Sequence, residues 1–244
     1  MKFALLFVFT AAVAALAQDQ VVPAKVAWGD EVPDDGFEIL GGQEAQFGHH
    51  RYVAGLKRWP SSNTECGGSL IAPNVILTAA PLFECGFGAG EYAAIIKEIK
   101  EPSGTDVGIA ILDHNITSIQ PVAVSFEFVP ANVLTWVRGW GNVNPDGPQS
   151  QVLKELSLTT WSNTRASAVL FPYRVSDTIL TAGGVEGEDS CTGDSGGPLT
   201  IEKNGTVHLV GVVSSGFECG ELGIPGLYER ASAARTFIEP YLPK

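Results

Sequence analysis

The sequence predicts an all-β protein finished by a single C-terminal helix, and three observations carry that expectation. Short β-branched and aromatic runs recur from residue 39 onward, bounded by many of the chain's 28 glycines and 15 prolines. Helical spacing is confined to Ala231 to Tyr241, where Ala234, Phe237, Ile238 and Tyr241 recur at intervals of three and four. No internal repeat or low-complexity tract interrupts the pattern. Many strands with one terminal helix fit sandwiches and barrels alike. With 244 residues and 45% hydrophobic content the chain can bury a sizeable core, as one domain or as two small units sharing an interface.

Taken in order, the chain begins with Lys2, the apolar run Phe3 to Leu16 and an Ala-Leu-Ala exit at Ala17. That is the layout of a secretory signal peptide over residues 1–17, with Gln18 as the mature start. The run is shorter than the roughly 20 apolar residues of a membrane-spanning helix. Residues 18–38 hold six acids and one base and read as a solvated leader. The clearest strands follow at Ser69 to Ala72, Asn74 to Thr78, Val107 to Leu112, Val133 to Arg138 and His208 to Ser214.

The net charge of -12 argues against nucleic acid or an anionic membrane as partner, since both call for positive charge. Export places Cys66, Cys85, Cys191 and Cys219 in an oxidising compartment, where three pairings are open. It also makes Asn115-Ile-Thr and Asn204-Gly-Thr usable glycosylation acceptors.

From Ile39 to the C-terminus the chain carries Ile39-Leu-Gly-Gly, Cys66-Gly-Gly-Ser-Leu-Ile, Leu77-Thr-Ala-Ala and Asp106-Val-Gly-Ile-Ala-Ile-Leu, in that order. Val137-Arg-Gly-Trp-Gly, the block Asp189 to Leu199, Val213-Ser-Ser-Gly and Pro225-Gly-Leu-Tyr follow. In these motifs residues 39–244 resemble the trypsin-like serine proteases. The resemblance implies two packed antiparallel β-barrels, the first abbreviated, with a C-terminal helix and a site in the cleft between them. It pairs Cys191 with Cys219 and Cys66 with Cys85. Ser195 takes the place of the nucleophile, Asp106 that of the base-orienting carboxylate, and the N–H groups of Gly193 and Ser195 those of the oxyanion donors. Asp189 with Ser214, Gly216 and Gly226 matches a pocket for Arg or Lys, and Ile39 with Asp194 matches the pair that forms on activation. Neither a cofactor nor a metal is implied.

The base is missing from this set. Where the family has histidine after Thr-Ala-Ala, this chain has Pro81, which cannot take the proton of Ser195. Pro81 also fits the first position of a short helical turn. His49 and His50 are expected to face solvent, and His114 and His208 not to reach Ser195. Glu38 replaces the basic residue after which family members are cleaved, which leaves Ile39 internal and the oxyanion loop unformed unless a different convertase acts. Only 24 residues lie between Pro81 and Asp106, fewer than the family uses, and Ala93 to Lys100 reads as two strands fused without their loop.

The expected function is therefore that of a secreted, inactive protease homologue: a monomer that binds a protein, either a host endoglucanase or a segment bearing Arg or Lys. Its leader and the Ala93 to Lys100 segment resemble secreted trypsin-like proteins of plant pathogens, among which the glucanase inhibitor proteins are the nearest functional precedent. The alternative is an active endopeptidase cutting after Arg or Lys with a non-standard base or a histidine donated by the substrate. A decaying duplicate with no selected role is the third reading.

Overall fold

The computed structural model describes residues 39–58, 62–80, 96–100 and 105–243. The signal peptide, the leader with Glu38, Pro81, Cys85 and residues 93–95 lie outside them. The strands in chain order are β1 (Gln43–Glu44), β2 (Val53–Leu56), β3 (Cys66–Ala72), β4 (Val75–Thr78), β5 (Ile96–Lys100), β6 (Gly108–Leu112) and β7 (Ala123–Val124). β8 (Leu134–Gly139), β9 (Lys154–Trp161), β10 (Ile179–Gly183), β11 (Pro198–Lys203), β12 (Thr206–Ser215) and β13 (Pro225–Arg230) complete them. Among the described residues there are two short α-helices, α1 (Asn163–Val169) and α2 (Arg235–Ile238).

The strands form two sheets. The second half of the chain runs β9-β10-β13-β12-β11-β8, and β8 returns to pair antiparallel with β9, so six strands close a barrel. Its inward residues Val137, Leu156, Leu158, Leu180, Leu199, Val210 and Tyr228 form one core. The first half is a five-stranded sheet in the order β2-β3-β4-β6-β5. Leu70, Leu77, Ile109 and Leu112 build its core, which also takes Leu209 and Val212 from β12 and Ala234 and Ile238 from the C-terminal helix. The fold is the expected mostly-β trypsin-like arrangement with a short C-terminal helix.

Two local outcomes differ from the expectation. Within Ala231 to Tyr241 only Arg235–Ile238 is α-helical and Glu239–Tyr241 is a tighter turn with Pro240 inside it. Helix α1 carries too few apolar positions to show a period, but Ser162 caps it by accepting from Arg165 N at 3.2 Å. In the Ala93 to Lys100 segment, the described part is the single strand β5. The hairpin from β11 to β12 turns on Asn204 and Gly205, both at positive φ, which is the two-residue turn those residues favour.

Candidate active and binding site

The turn around Ser195 is fixed by backbone hydrogen bonds. Asp194 N donates to Cys191 O at 2.9 Å and Gly197 N to Asp194 O at 2.8 Å. Two bonds then tie it to other strands: Gly196 N to Val213 O at 2.7 Å in β12, and Gly67 N to Ser195 O at 2.7 Å from β3. Gly193 (φ 98°) and Gly196 (φ 88°) adopt the left-handed region, which a side chain would strain. Among the described residues the N–H groups of Gly193 and Ser195 donate to nothing, and the Ser195 hydroxyl makes no hydrogen bond. The disulfide Cys191–Cys219 pins the turn to the middle of the loop between β12 and β13. Cys66 is also disulfide-bonded, while Cys85, its expected partner, lies outside the described residues.

Beside the turn is a cavity of about 230 Å³ lined by Asp189, Ser190, Ser195, Ser214, Gly216 and Gly226, among others. Asp189 lies at its floor, 3% exposed, and accepts from Ser190 N at 2.8 Å and from Gly220 N at 3.3 Å. Burial pushes its carboxyl up to about 6, against those N–H groups, which favour the charged form. At neutral pH the floor is an anion with no cationic partner among the described residues. A Cβ on Gly226 would stand 2.9 Å from the Asp189 carboxylate, so glycine there keeps the shaft open. Phe217 lines the mouth and meets exposed Tyr173 edge to face at 5.7 Å, an aromatic rim that the sequence reading did not single out.

On the opposite wall Asp106 is fully engaged. Its Oδ1 accepts from Ala80 N at 2.9 Å and its Oδ2 from the Ser214 hydroxyl. Glu229 on β13, 2% exposed, accepts from the main chain of Asp106, and burial beside that carboxylate pushes it up to about 7. None of the four histidines hydrogen-bonds to Asp106 or Ser195. His114 pairs with Asp113, and His208 sits mid-strand opposite Ile201. His49 is exposed as expected, but His50 is not. Its ring lies 3.5 Å from Glu155, which also accepts from buried Arg138 at 2.9 Å. Burial and the Arg138 cation lower the imidazole to about 4, so His50 is a neutral packing residue at pH 7.

Asp194, fully buried, accepts from Gly141 N at 2.8 Å and Cys191 N at 3.0 Å. A Cβ on Gly139 or Gly141 would collide with this carboxylate. No cation pairs with it among the described residues, and burial pushes it up to about 6. Ile39 is nevertheless fully buried in the barrel core, and Leu40 O accepts from Asp189 N at 3.1 Å. The turn at 191–197 is thus built while Ile39 is internal, which corrects the expectation that it stays unformed. Side-chain burial and the Leu40 carbonyl dock the segment without an α-amino group.

A profile of the trypsin family, described as Trypsin, matches residues 39–238. The chain belongs to the trypsin family. Glucanase inhibitor protein 2 of Phytophthora infestans is 32% identical over 82% of this chain and 87% of its own length. Glucanase inhibitor protein 2 of Phytophthora sojae is 30% identical over 84% and 79%. Serine protease 41 of Homo sapiens is 31% identical over 79% and 78%. The chain is thus similar both to proteins named as inhibitors and to proteins named as proteases.

Against that family background, the structure brings Ser195, Asp189, Ser214, Gly216 and Gly226 around one cavity and sets Asp106 against Ser214. Acyl transfer needs a base within about 3 Å of the serine hydroxyl, and no described side chain stands there. Two unpartnered N–H groups beside an anionic shaft can still hold an acceptor and a cation. Glu229 and Gln149, which meets Thr64 beside Gly193, gave no motif in the sequence and become visible only through contacts between segments distant in the chain.

Proposed function

We propose that this protein is a secreted trypsin-family homologue that binds a polypeptide without cleaving it. In this reading Asp189 receives an Arg or Lys side chain, and the partner is a glucanase of the class its Phytophthora relatives are named for inhibiting. The observation that supports it most is the pairing of an open anionic shaft with a serine that has no base. Pro81 stands where the family has histidine, and Asp106 holds Ala80 N and Ser214 instead of an imidazole. In serine proteases, removal of the histidine alone lowers kcat by about 10⁶, so the residual rate is negligible. Residues 1–17 and the disulfide fit an extracellular protein. Asn115 and exposed Asn204 at its hairpin turn are proposed glycan sites, and Ile39 with Asp194 the proposed activation pair. The protein works as a monomer in this reading.

A second reading, an active endopeptidase, draws on the same unpartnered N–H groups and Asp189. A fluorophosphonate probe and a Lys/Arg peptide substrate separate the two. The binding reading expects no labelling of Ser195 and no turnover, with and without cleavage before Ile39. It also expects dose-dependent inhibition of a purified plant endoglucanase. Prompt labelling with turnover would overturn the loss of activity, and a glucanase that keeps its full rate would overturn the choice of partner.

A further inference from the structure

The cavity ends at Ser195, and what stands on the far side decides how a bound chain can run. There the Gln149 side chain closes against Thr64, two residues before β3. Its Oε1 accepts from Thr64 N at 2.9 Å and its Nε2 donates to Thr64 O at 2.6 Å. One side-chain amide therefore meets both main-chain polar groups of Thr64, 5% exposed, as an added β-strand would. The contact lies directly on Gly193: a Cβ there would stand 3.2 Å from Thr64 O and would collide with Gln149 Nε2. Gln149 is held in place by its own loop, where Asn142 N donates to Thr192 O at 2.8 Å and Val143 N to Pro148 O at 3.0 Å.

The Gly193 and Ser195 N–H groups beside this closure have no acceptor among the described residues. A carboxylate would bind them more strongly than a neutral amide carbonyl, because hydrogen bonds to an ionised acceptor are about twice as strong. We infer that the ligand is a chain end: a C-terminal Arg or Lys whose side chain enters the Asp189 shaft and whose carboxylate lies on the Gly193 and Ser195 N–H groups. Gln149 fills the path that a continuing chain would take. The inference rests on the proposed reading that Asp189 receives Arg or Lys.

The test compares three synthetic peptides of one sequence, ending in Arg as the acid, ending in Arg as the amide, or continuing past Arg by four alanines. Affinity is measured by calorimetry on the whole secreted protein, on Gln149→Gly and on Gln149→Glu, which keeps the bulk and removes the Nε2 donor. A continuing chain must displace Gln149 and leave buried Thr64 groups unpaired, so the acid is expected to bind about tenfold or more tighter than the continuing peptide. The acid should also exceed the amide, and Gln149→Gly should raise the affinity of the continuing peptide. Retained near-ultraviolet circular dichroism shows that each variant is folded. Should Gln149→Gly be unfolded, Gln149→Glu must still narrow the preference. Equal binding of all three peptides to the unaltered protein would overturn the chain-end inference alone. If none binds, or if Asp189→Ser binds them all unchanged, the pocket reading falls and takes this inference with it.

Discussion

The two walls of the cleft hold carboxylates in opposite circumstances. On the barrel wall, Asp189 and Asp194 are buried with only N–H and hydroxyl partners and are pushed up to about 6. On the sheet wall, Asp106 bridges Ala80 N and the Ser214 hydroxyl, linking the first sheet to β12. The barrel wall therefore keeps an unneutralised charge facing a cavity, while the sheet wall has turned its charge into a fastening between the two halves. A carboxylate's position in a family motif does not fix its task; the groups that meet its oxygens do.

Four changes break or sharpen this contrast. The largest effect is expected from Pro81→His in a chain beginning at Ile39, which supplies the base. Turnover of an Arg peptide should rise by about 10⁴-fold or more, read by amidolysis, and the same substitution behind an intact Glu38 should also raise it, because the turn at 191–197 is already built with Ile39 internal. Next, Asp189→Ser removes the charge at the shaft floor. Binding of Arg peptides should weaken by about 100-fold in calorimetry, the scale expected when one partner of a buried charge pair is removed. In the unaltered protein that binding should also fade as pH drops through about 6, where Asp189 takes up a proton.

The third test uses Asp194 and the sign of its shift. The native carboxyl holds a proton up to about pH 6, whereas the unfolded one releases it near 4. Its contribution is therefore full below about pH 4 and is lost as pH rises to 6, by about 3 kcal/mol. Urea midpoints of the uncleaved chain should show that loss. A chain beginning at Ile39, whose α-amino group can pair with Asp194, should not. The smallest effect is expected for Asp106→Asn: about 1 to 2 kcal/mol of stability, from weakening two hydrogen bonds to a charged acceptor, with peptide affinity within twofold.

Much of this arrangement was legible in the sequence, because strands and the Ser195 block are local patterns. β4, β6, β8 and β12 fall on the predicted runs, and Cys191–Cys219 forms as the resemblance implied. Short-range signals failed where a long-range partner decides. His50 looked like a surface residue until Arg138 and Glu155, from β8 and β9, enclosed it. Gln149 is 85 residues from Thr64, and no spacing rule joins them. Glu229 is an acid within a strand run, and only the register of β13 with β12 and β10 carries it beneath Asp106. Helix α1 escaped for the opposite reason: it is too short for a period to develop.

The hydrogen bond from Gly67 N to Ser195 O gives the Ser195 block a second meaning. Along this seam the two halves touch main chain to main chain, and a Cβ on Gly67 would stand 2.7 Å from the Gly197 backbone. Four letters of Gly-Asp-Ser-Gly-Gly, all but the serine, are therefore demanded by the masonry of the fold before any chemistry is asked of them. A lineage can lose its base and still be unable to rewrite these letters, so the motif in a genome testifies to a shared joint between two halves rather than to a working enzyme.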